Sequence, residues 1–158
     1  MIWTSIDEKA SNKFYYQMRL IRSVEERLLD LFSVGLLSGT VHTCIGQEAS
    51  AVGLINALDA TKDLIFSNHR AHGHYIVYTD DIEGLIAEVM GKKTGACGGI
   101  GGSQHLCKRN MYTNGVQGGM VPSAVGAALA EKLKHSKAIC VVFLGDGTMG
   151  QGTVYEGM

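Results

Sequence analysis

The sequence lacks the features that would assign it to a membrane-spanning or nucleic-acid-binding class. No apolar stretch approaches the ~18 residues that a membrane-spanning helix needs. No run of Lys and Arg is present either, and 14 basic against 15 acidic side chains give a formal charge of −1. A chain without a basic patch is a poor ligand for a phosphate backbone or an anionic lipid surface. These absences argue against nucleic acid and membrane as partners.

Two further absences concern the cellular compartment. The N-terminus lacks the positively charged segment followed by an apolar segment that defines a secretory signal peptide. The four cysteines, Cys44, Cys97, Cys107 and Cys140, form no Cys-x-x-Cys pair, and a core of this size does not need disulfides. We therefore expect reduced thiols and a location in the cytoplasm or an organelle matrix. A partial zinc site at Cys97, His105 and Cys107 is the alternative, although a fourth ligand is not evident.

The composition is that of a folded, glycine-rich domain. Of the 158 residues, 46% are hydrophobic and 18% charged, which is enough apolar material for one sizeable core. We predict a single α/β domain over residues 1–158, with a helical segment at about 5–60 and a β-α portion at about 61–158. A single Pro stands against 21 Gly, which cluster at 95–102, 115–119 and 145–152. Such clusters allow the backbone to approach a ligand closely.

Four segments carry the spacing of amphipathic helices. The first begins at a capping box, from Ser5 to Glu8, and its apolar residues recur at helical intervals up to Gly35. Its charged residues are expected on a solvated or subunit-facing surface: Arg19, Arg22, Glu25, Glu26 and Arg27. The other predicted helices cover 49–58, 82–91 and 122–137.

Two short apolar runs predict strands that end in polar or glycine-rich loops. Residues 64–66 precede a segment, 67–74, that contains three His and one Arg and is predicted to be a loop. Residues 138–144 predict a parallel strand buried on both faces, and Gly145-Asp146-Gly147 follows it. Ligands of open α/β sheets bind beyond the carboxyl ends of the strands. Both loops are therefore candidate ligand sites, because Arg suits a diphosphate and His suits proton transfer.

Three interpretations compete for residues 145–150. The spacing matches the dinucleotide fingerprint Gly-x-Gly-x-x-Gly, but an Asp between the first two glycines would repel a pyrophosphate. A Mg²⁺ ion between Asp146 and a diphosphate turns that repulsion into attraction, with glycine N–H groups on the remaining oxygens. The third interpretation, an Asp-Gly hairpin turn, needs a second alternating strand, which the sequence does not provide.

Five motifs occur in the order found in one family. They are Gly39 to Ala49 with His42, His69-Arg70-Ala71-His72-Gly73, Gly101-Gly102-Ser103-Gln104-His105, Asn114 to Pro122, and Gly145-Asp146-Gly147 followed by Gln151-Gly152. Through these motifs, over roughly residues 13–158, the chain resembles the alpha subunit of thiamine-diphosphate-dependent 2-oxo acid dehydrogenases, the pyruvate and acetoin dehydrogenase group. The resemblance implies a three-layer thiamine-diphosphate-binding fold with a mainly parallel sheet. It also implies that the fold is incomplete at the C-terminus, because the family's metal-site Asn lies beyond Met158.

The resemblance also implies roles at the metal and diphosphate. Asp146 would bind Mg²⁺, and Gly145 and Gly147 would bring the backbone close to the diphosphate. Arg70 would pair with a phosphate, with His69 beside it.

Further roles concern the ring and the reacting atoms. Gly115 and Gln117 would present main-chain groups to the aminopyrimidine. His42 and His72 would face the reacting carbons, for proton transfer or for stabilising a substrate carboxylate. Ser103 and His105 would lie on a loop that orders over bound cofactor.

The implied enzyme is an oxidoreductase that decarboxylates a 2-oxo acid, pyruvate foremost, or cleaves acetoin. Its cofactors are thiamine diphosphate and Mg²⁺, and it passes the acyl group to a lipoyl-bearing acyltransferase. Its partner is a beta subunit, in a heterotetramer, and the 158 residues alone are expected to be inactive. The alternatives are a truncated, non-catalytic assembly module of the same family and a nicotinamide-binding oxidoreductase.

Overall fold

A computed structural model describes residues 7–37 and 39–158 of the chain. The helices in these residues are α1 (Glu8–Ser33), α2 (Glu48–Ile55), α3 (His72–Thr79), α4 (Ile82–Val89), α5 (Met120–Leu133) and α6 (Gly152–Gly157). The strands are β1 (Leu64–Ser67), β2 (Cys107–Lys108), β3 (Met111–Thr113) and β4 (Cys140–Val142), and a short 3-10 helix covers Asp146–Gly150.

The four strands form one open sheet in the order β2-β3-β1-β4. β1 is parallel to both β3 and β4, whereas β2 runs antiparallel to β3. The predicted α/β class with a mainly parallel sheet is therefore confirmed. The prediction that the 138–144 strand is buried on both faces is wrong, because all three residues of β4 are only partly buried. Within the described residues β4 is an edge strand, which pairs with β1 alone.

Alternate residues of the central strand serve different parts of the interior. Ile65 lies opposite Met111, and both are fully buried in the main core with residues of α1 to α4. Phe66 points to the other face, since side chains alternate along a strand, and its ring stacks on Tyr112 with centroids 5.4 Å apart. α5 packs against β1 and β4, and Val121 is buried there. The sheet therefore lies within a layered α/β arrangement.

α1 is the predicted long amphipathic helix and ends where expected. Its N-cap is Asp7, which accepts a hydrogen bond from the Ala10 N–H at 2.8 Å, and the predicted cap Ser5 lies outside the described residues. Gly35, with φ +73°, follows the helix in the left-handed conformation that commonly ends helices. The prediction of a solvated Glu25 is wrong. This side chain is fully buried, because it lies four residues after Ile21 on the apolar stripe.

Several elements differ from the sequence prediction. α2 ends at Ile55 rather than near residue 58. The side-chain amide of the next residue, Asn56, donates to the Val52 carbonyl at 2.8 Å. α3 begins at His72, inside the segment predicted as a loop. β2 and β3 have two and three residues, too few to produce an alternating pattern. In the described part of the chain, no helix has both the length and the apolar composition to cross a bilayer.

Candidate cofactor site

A cleft of about 530 Å³ lies beyond the carboxyl ends of β1 and β4. These neighbouring parallel strands end at the same edge of the sheet, so the loops that follow them meet. The cleft is lined by Gln47, Asn68, His69, Arg70, Gln117, Leu144, Gly145, Asp146, Gly147, Thr148 and Gln151. Six of the residues predicted from the sequence thus lie around one cavity: His69, Arg70, Gln117, Gly145, Asp146 and Gly147.

The loop after β4 presents its carboxylate to this cleft. Gly145 is extended, with φ −78° and ψ 155°, and the 3-10 helix begins at Asp146, which is exposed. A Cβ at Gly147 would meet no atom within 4 Å. The interpretation as a hairpin turn is wrong, because the chain continues into a 3-10 helix and then α6. The loop therefore leaves open space beside an acidic group.

A second wall of the cleft, formed by the loop after β1, carries positive charge. The Arg70 N–H donates to Asn68 Oδ1 at 2.9 Å, in a tight turn that follows β1. The Arg70 guanidinium donates to the Thr43 carbonyl, which fixes the side chain at the cleft. Burial, followed by the charges of Arg70 and His42, lowers the pKa of His69. An imidazole with a lowered pKa and a guanidinium fixed by a hydrogen bond therefore line the same cleft as Asp146.

Gln117 joins the two walls through its side chain. Its amide oxygen accepts from Thr148 Oγ1 at 3.0 Å, and its amide nitrogen donates to His69 Nδ1. His69 therefore carries its proton on Nε2. The sequence predicted only a main-chain role for Gln117, and its motif gave no signal for this bridge.

His42 lies next to the cleft without lining it. Its ring meets the His69 ring edge-on, with centroids 5.0 Å apart. Gln104 Nε2 donates to His42 Nδ1 of the ring at 2.8 Å. The backbone N–H of His42 donates to Ser103 Oγ at 3.1 Å. Since Nδ1 accepts a hydrogen bond, the neutral ring carries its proton on Nε2, which is then a hydrogen-bond donor.

His72 lies inside the protein rather than in the cleft. It is fully buried, with Nδ1 3.1 Å from both carboxylate oxygens of Glu25 and Nε2 3.0 Å from Ser103 Oγ. Glu25 also accepts from the Cys44 N–H and thiol, each at 3.0 Å. Burial alone would raise the pKa of Glu25, but the interactions with His72 and Cys44 hold it below its usual value. Burial and the Glu25 carboxylate raise the pKa of the Cys44 thiol.

The histidine-rich segment 67–74 therefore divides into two parts. His69 and Arg70 face the cleft, whereas His72 and His74 enter the core on α3. His74 stacks on Phe143, with centroids 3.8 Å apart, and Ser67 Oγ lies 2.9 Å from its Nδ1. Burial lowers the pKa of His74 to about 4. His74 is thus a neutral core residue near neutral pH.

The remaining predicted residues gather beside His42. Ser103 is buried and contacts His72 and the His42 N–H, whereas His105 is exposed. A Cβ on Gly115 would lie 2.1 Å from Gln104 Oε1 and 3.5 Å from His105 Nε2. Gly115 therefore allows the loop that carries Ser103 and His105 to approach the loop after β3.

A second buried carboxylate, Glu88, holds the glycine-rich loop at 97–102, which precedes Ser103 and His105. It is fully buried and accepts four backbone N–H groups, from Cys97 at 2.6 Å, Gly99 at 2.9 Å, Gly101 at 2.7 Å and Gly102 at 3.2 Å. The sequence prediction did not assign a role to Glu88. A signal was present, because Glu88 lies directly before Val89 and three residues after Leu85 on an amphipathic helix.

The donor set at the cleft matches a metal held jointly with a diphosphate. No group of three or more His, Cys, Asp or Glu side chains that could hold a metal occurs in residues 7–37 and 39–158, which also leaves the zinc alternative without support. Mg²⁺ typically takes one or two carboxylates and completes its octahedron with phosphate oxygens and water. The cleft contains one such carboxylate, Asp146, together with the Arg70 guanidinium and glycine backbone, which are groups that suit an anion.

Comparison with known proteins identifies the family. Residues 16–158 match the dehydrogenase E1 component family. The chain belongs to this family. It is 42% identical over 157 residues to the alpha subunit of acetoin:2,6-dichlorophenolindophenol oxidoreductase from Bacillus subtilis, covering 98% of this chain and 47% of that one.

Two further relatives are alpha subunits of pyruvate dehydrogenase E1 components. The pyruvate dehydrogenase E1 component subunit alpha of Zymomonas mobilis is 38% identical, with 95% of this chain and 43% of the relative aligned. The somatic, mitochondrial form from Homo sapiens is 34% identical, with 98% and 40% aligned. The chain thus spans less than half the length of these curated relatives.

Proposed function

We propose that the chain provides the Mg²⁺ and diphosphate side of the cofactor site in a thiamine-diphosphate-dependent E1 alpha subunit. The observation that carries this proposal is the meeting of Arg70 and Asp146 in one cleft at the ends of adjacent parallel strands. A fixed cation and a carboxylate about one cavity suit a diphosphate bridged by a metal ion. Proteins of the dehydrogenase E1 component family depend on thiamine diphosphate, which supports the choice of ligand.

In this proposal each part of the cleft has one task. Asp146 holds Mg²⁺, Arg70 binds a phosphate, and Gly145 and Gly147 leave room for the diphosphate against the backbone. Gln117 keeps His69 and the Asp146 loop at a fixed separation through its two hydrogen bonds. When bound, thiamine diphosphate supplies the nucleophile and electron sink for chemistry at a 2-carbonyl.

The two candidate catalytic histidines take different roles. His42 has the position for proton transfer or for donating to a substrate carboxylate, through its protonated Nε2 beside the cleft. His72 acts as a positioning residue, since its ring is fixed between Glu25 and Ser103. Ser103 and His105 form the edge that closes over the cofactor beside Gly115.

We infer that the substrate is a 2-oxo acid such as pyruvate, or acetoin, since the relatives named above are subunits of pyruvate- and acetoin-directed enzymes. The partners would be a beta subunit and a lipoyl-bearing acyltransferase that accepts the acyl group. We place the protein in the cytoplasm or an organelle matrix.

Calorimetric titration with thiamine diphosphate, with and without Mg²⁺, tests the cofactor proposal. The chain is titrated alone and together with an E1 beta subunit. Asp146→Ala should abolish the effect of Mg²⁺ on binding, whereas Asp30→Ala, which removes an exposed carboxylate of α1, should not change it. Binding that is equally strong without Mg²⁺, or unaffected by Asp146→Ala, would contradict the proposal. No binding in the presence of the beta subunit would favour a non-catalytic assembly module.

A further inference from the structure

Two cysteines meet at the edge of the sheet, outside the proposed cofactor cleft. The sulfur of Cys97 accepts the Cys107 N–H at 3.1 Å and lies 3.8 Å from the Cys107 carbonyl oxygen. It therefore contacts both polar main-chain atoms of Cys107 and lies beside the Cα from which that side chain projects. Both thiols are free.

Each cysteine is held by an independent part of the fold. The Cys97 N–H donates to Glu88 Oε2 at 2.6 Å, which attaches its backbone to α4. Cys107 lies on β2, opposite Tyr112 of β3. A disulfide requires Cα atoms about 4.4–6.8 Å apart. The Cys97 sulfur already contacts the backbone of Cys107. Bringing the two sulfurs together therefore requires mainly a change of side-chain rotamer, and little movement of the backbone.

The two thiols differ in accessibility. Cys107 is exposed, whereas Cys97 is partly buried. Burial, together with the Glu88 carboxylate, raises the pKa of Cys97. Exposed thiols react first with oxidants, and a neighbouring cysteine that attacks the product is the usual arrangement of a reversible redox pair.

We propose that Cys97 and Cys107 are a redox modification site that forms a reversible disulfide with a low-molecular-weight disulfide as the oxidant. The Cys107 thiolate attacks the small disulfide, forms a mixed disulfide and releases one small thiolate. Cys97 then loses its proton to solvent, attacks the Cys107 sulfur and displaces the second small thiolate. Two electrons pass from the protein to the oxidant, and the released thiolates take up the two protons as small thiols.

The disulfide closes a ring around the loop between the two cysteines. That loop includes Ser103, Gln104 and His105, which lie next to His42 and Gly115. A cross-link at its two ends restricts its motion. Oxidation would therefore fix the edge that we propose to close over the cofactor. Only this last consequence rests on the proposed function.

Mass spectrometry of the whole chain tests the modification itself. After incubation with oxidised glutathione, the wild-type chain should lose the mass of two hydrogen atoms, and peptide mapping should show Cys97 linked to Cys107. Cys97→Ser should keep one glutathione on Cys107, because the displacing thiol is gone. Cys140→Ser, which alters a cysteine on β4, should cross-link like the wild type.

Two results would overturn the proposal: glutathione that persists on Cys107 of the wild-type chain, or thiols at both positions that remain unmodified. Hydrogen exchange of residues 99–105 provides a second readout, and it should slow in the oxidised chain and recover with dithiothreitol. Neither readout requires cofactor binding. A failed cross-link therefore leaves the proposed cofactor site untouched, and a failed Mg²⁺ titration leaves the cysteine pair untouched.

Discussion

The segments 95–102 and 145–150 are both rich in glycine, but the first is packed tightly around a buried side chain and the second borders open space. In the first, a Cβ on Gly101 would lie 2.0 Å from the His105 carbonyl oxygen, and its backbone N–H groups converge on the buried Glu88. In the second, a Cβ on Gly147 would meet nothing within 4 Å, and Asp146 is exposed to the cleft. Glycines thus let one segment wrap a carboxylate of the protein, and they leave the other segment open to a ligand.

The largest effect is expected from Glu88→Gln, which breaks the wrapped segment. An amide nitrogen in place of one carboxylate oxygen faces backbone N–H donors, and unsatisfied buried donors cost about 1–3 kcal/mol each. We expect a loss of at least about 2 kcal/mol in the free energy of unfolding, measured by urea denaturation. Glu83→Gln, an exposed change on the same helix, is the control. Equal stability of the two variants would show that Glu88 does not organise the segment.

A pair of alanine substitutions compares the two segments directly. Gly101→Ala should destabilise the chain by about 1–3 kcal/mol, since overpacking against the fixed backbone forces it to shift. Gly147→Ala should change the free energy of unfolding by less than about 0.5 kcal/mol, as is usual for substitutions without close contacts. Thermal unfolding of both variants measures these two losses of stability. Similar losses would contradict the structural difference between the two segments.

Acid should loosen the wrapped segment. Burial alone would raise the pKa of Glu88, but the four N–H donors lower it below its reference value of 4.5. A lowered folded-state pKa contributes stability that is complete above about pH 4.5 and is lost as the pH falls through the folded-state value. The protection of the residue 97–102 amides against hydrogen exchange, measured relative to the intrinsic exchange rate at each pH, should therefore decrease as the pH falls through the folded-state pKa. In Glu88→Gln the residue 97–102 amides should show no such acid step.

A smaller effect than that of Glu88→Gln is expected at the side-chain hydrogen bond between Thr148 of the open segment and Gln117. Removing the hydrogen bond between Gln117 and Thr148 should cost about 0.5–1.5 kcal/mol. A double-mutant cycle with Gln117→Leu and Thr148→Val isolates this coupling from the loss of either side chain. A coupling energy near zero would mean that the two walls of the cleft are held separately.

Periodic and strand-end patterns predicted much of the fold and cleft. α1, α4 and α5 follow the 3.6-residue repeat, and β1 and β4 follow short apolar runs. Arg70 and Asp146 could be assigned to one edge because both follow parallel strands. The family predicted from the motifs is confirmed.

The buried polar groups were harder to predict, since their burial depends on partners distant in the sequence. His72 is buried by Glu25, 47 residues away, and by Ser103, 31 residues away. No local pattern contains such partners, so the first turn of α3, residues 72–74, was predicted as part of a polar loop. Glu25 is the exception, because its position on the stripe of Ile21 and Leu28 could have indicated burial.

The pairing of β1 with β4 has a consequence for synthesis of the chain. Asp63, just before β1, accepts a hydrogen bond from the Ile139 N–H, 76 residues later. At a translation rate of ~5–20 residues per second, β1 waits roughly 4–15 s for its neighbour. Until then the nascent chain has an unpaired strand edge, where chaperones can bind and aggregation can start. A ligand whose site requires both strands can bind and stabilise the fold only after β4 has been synthesised.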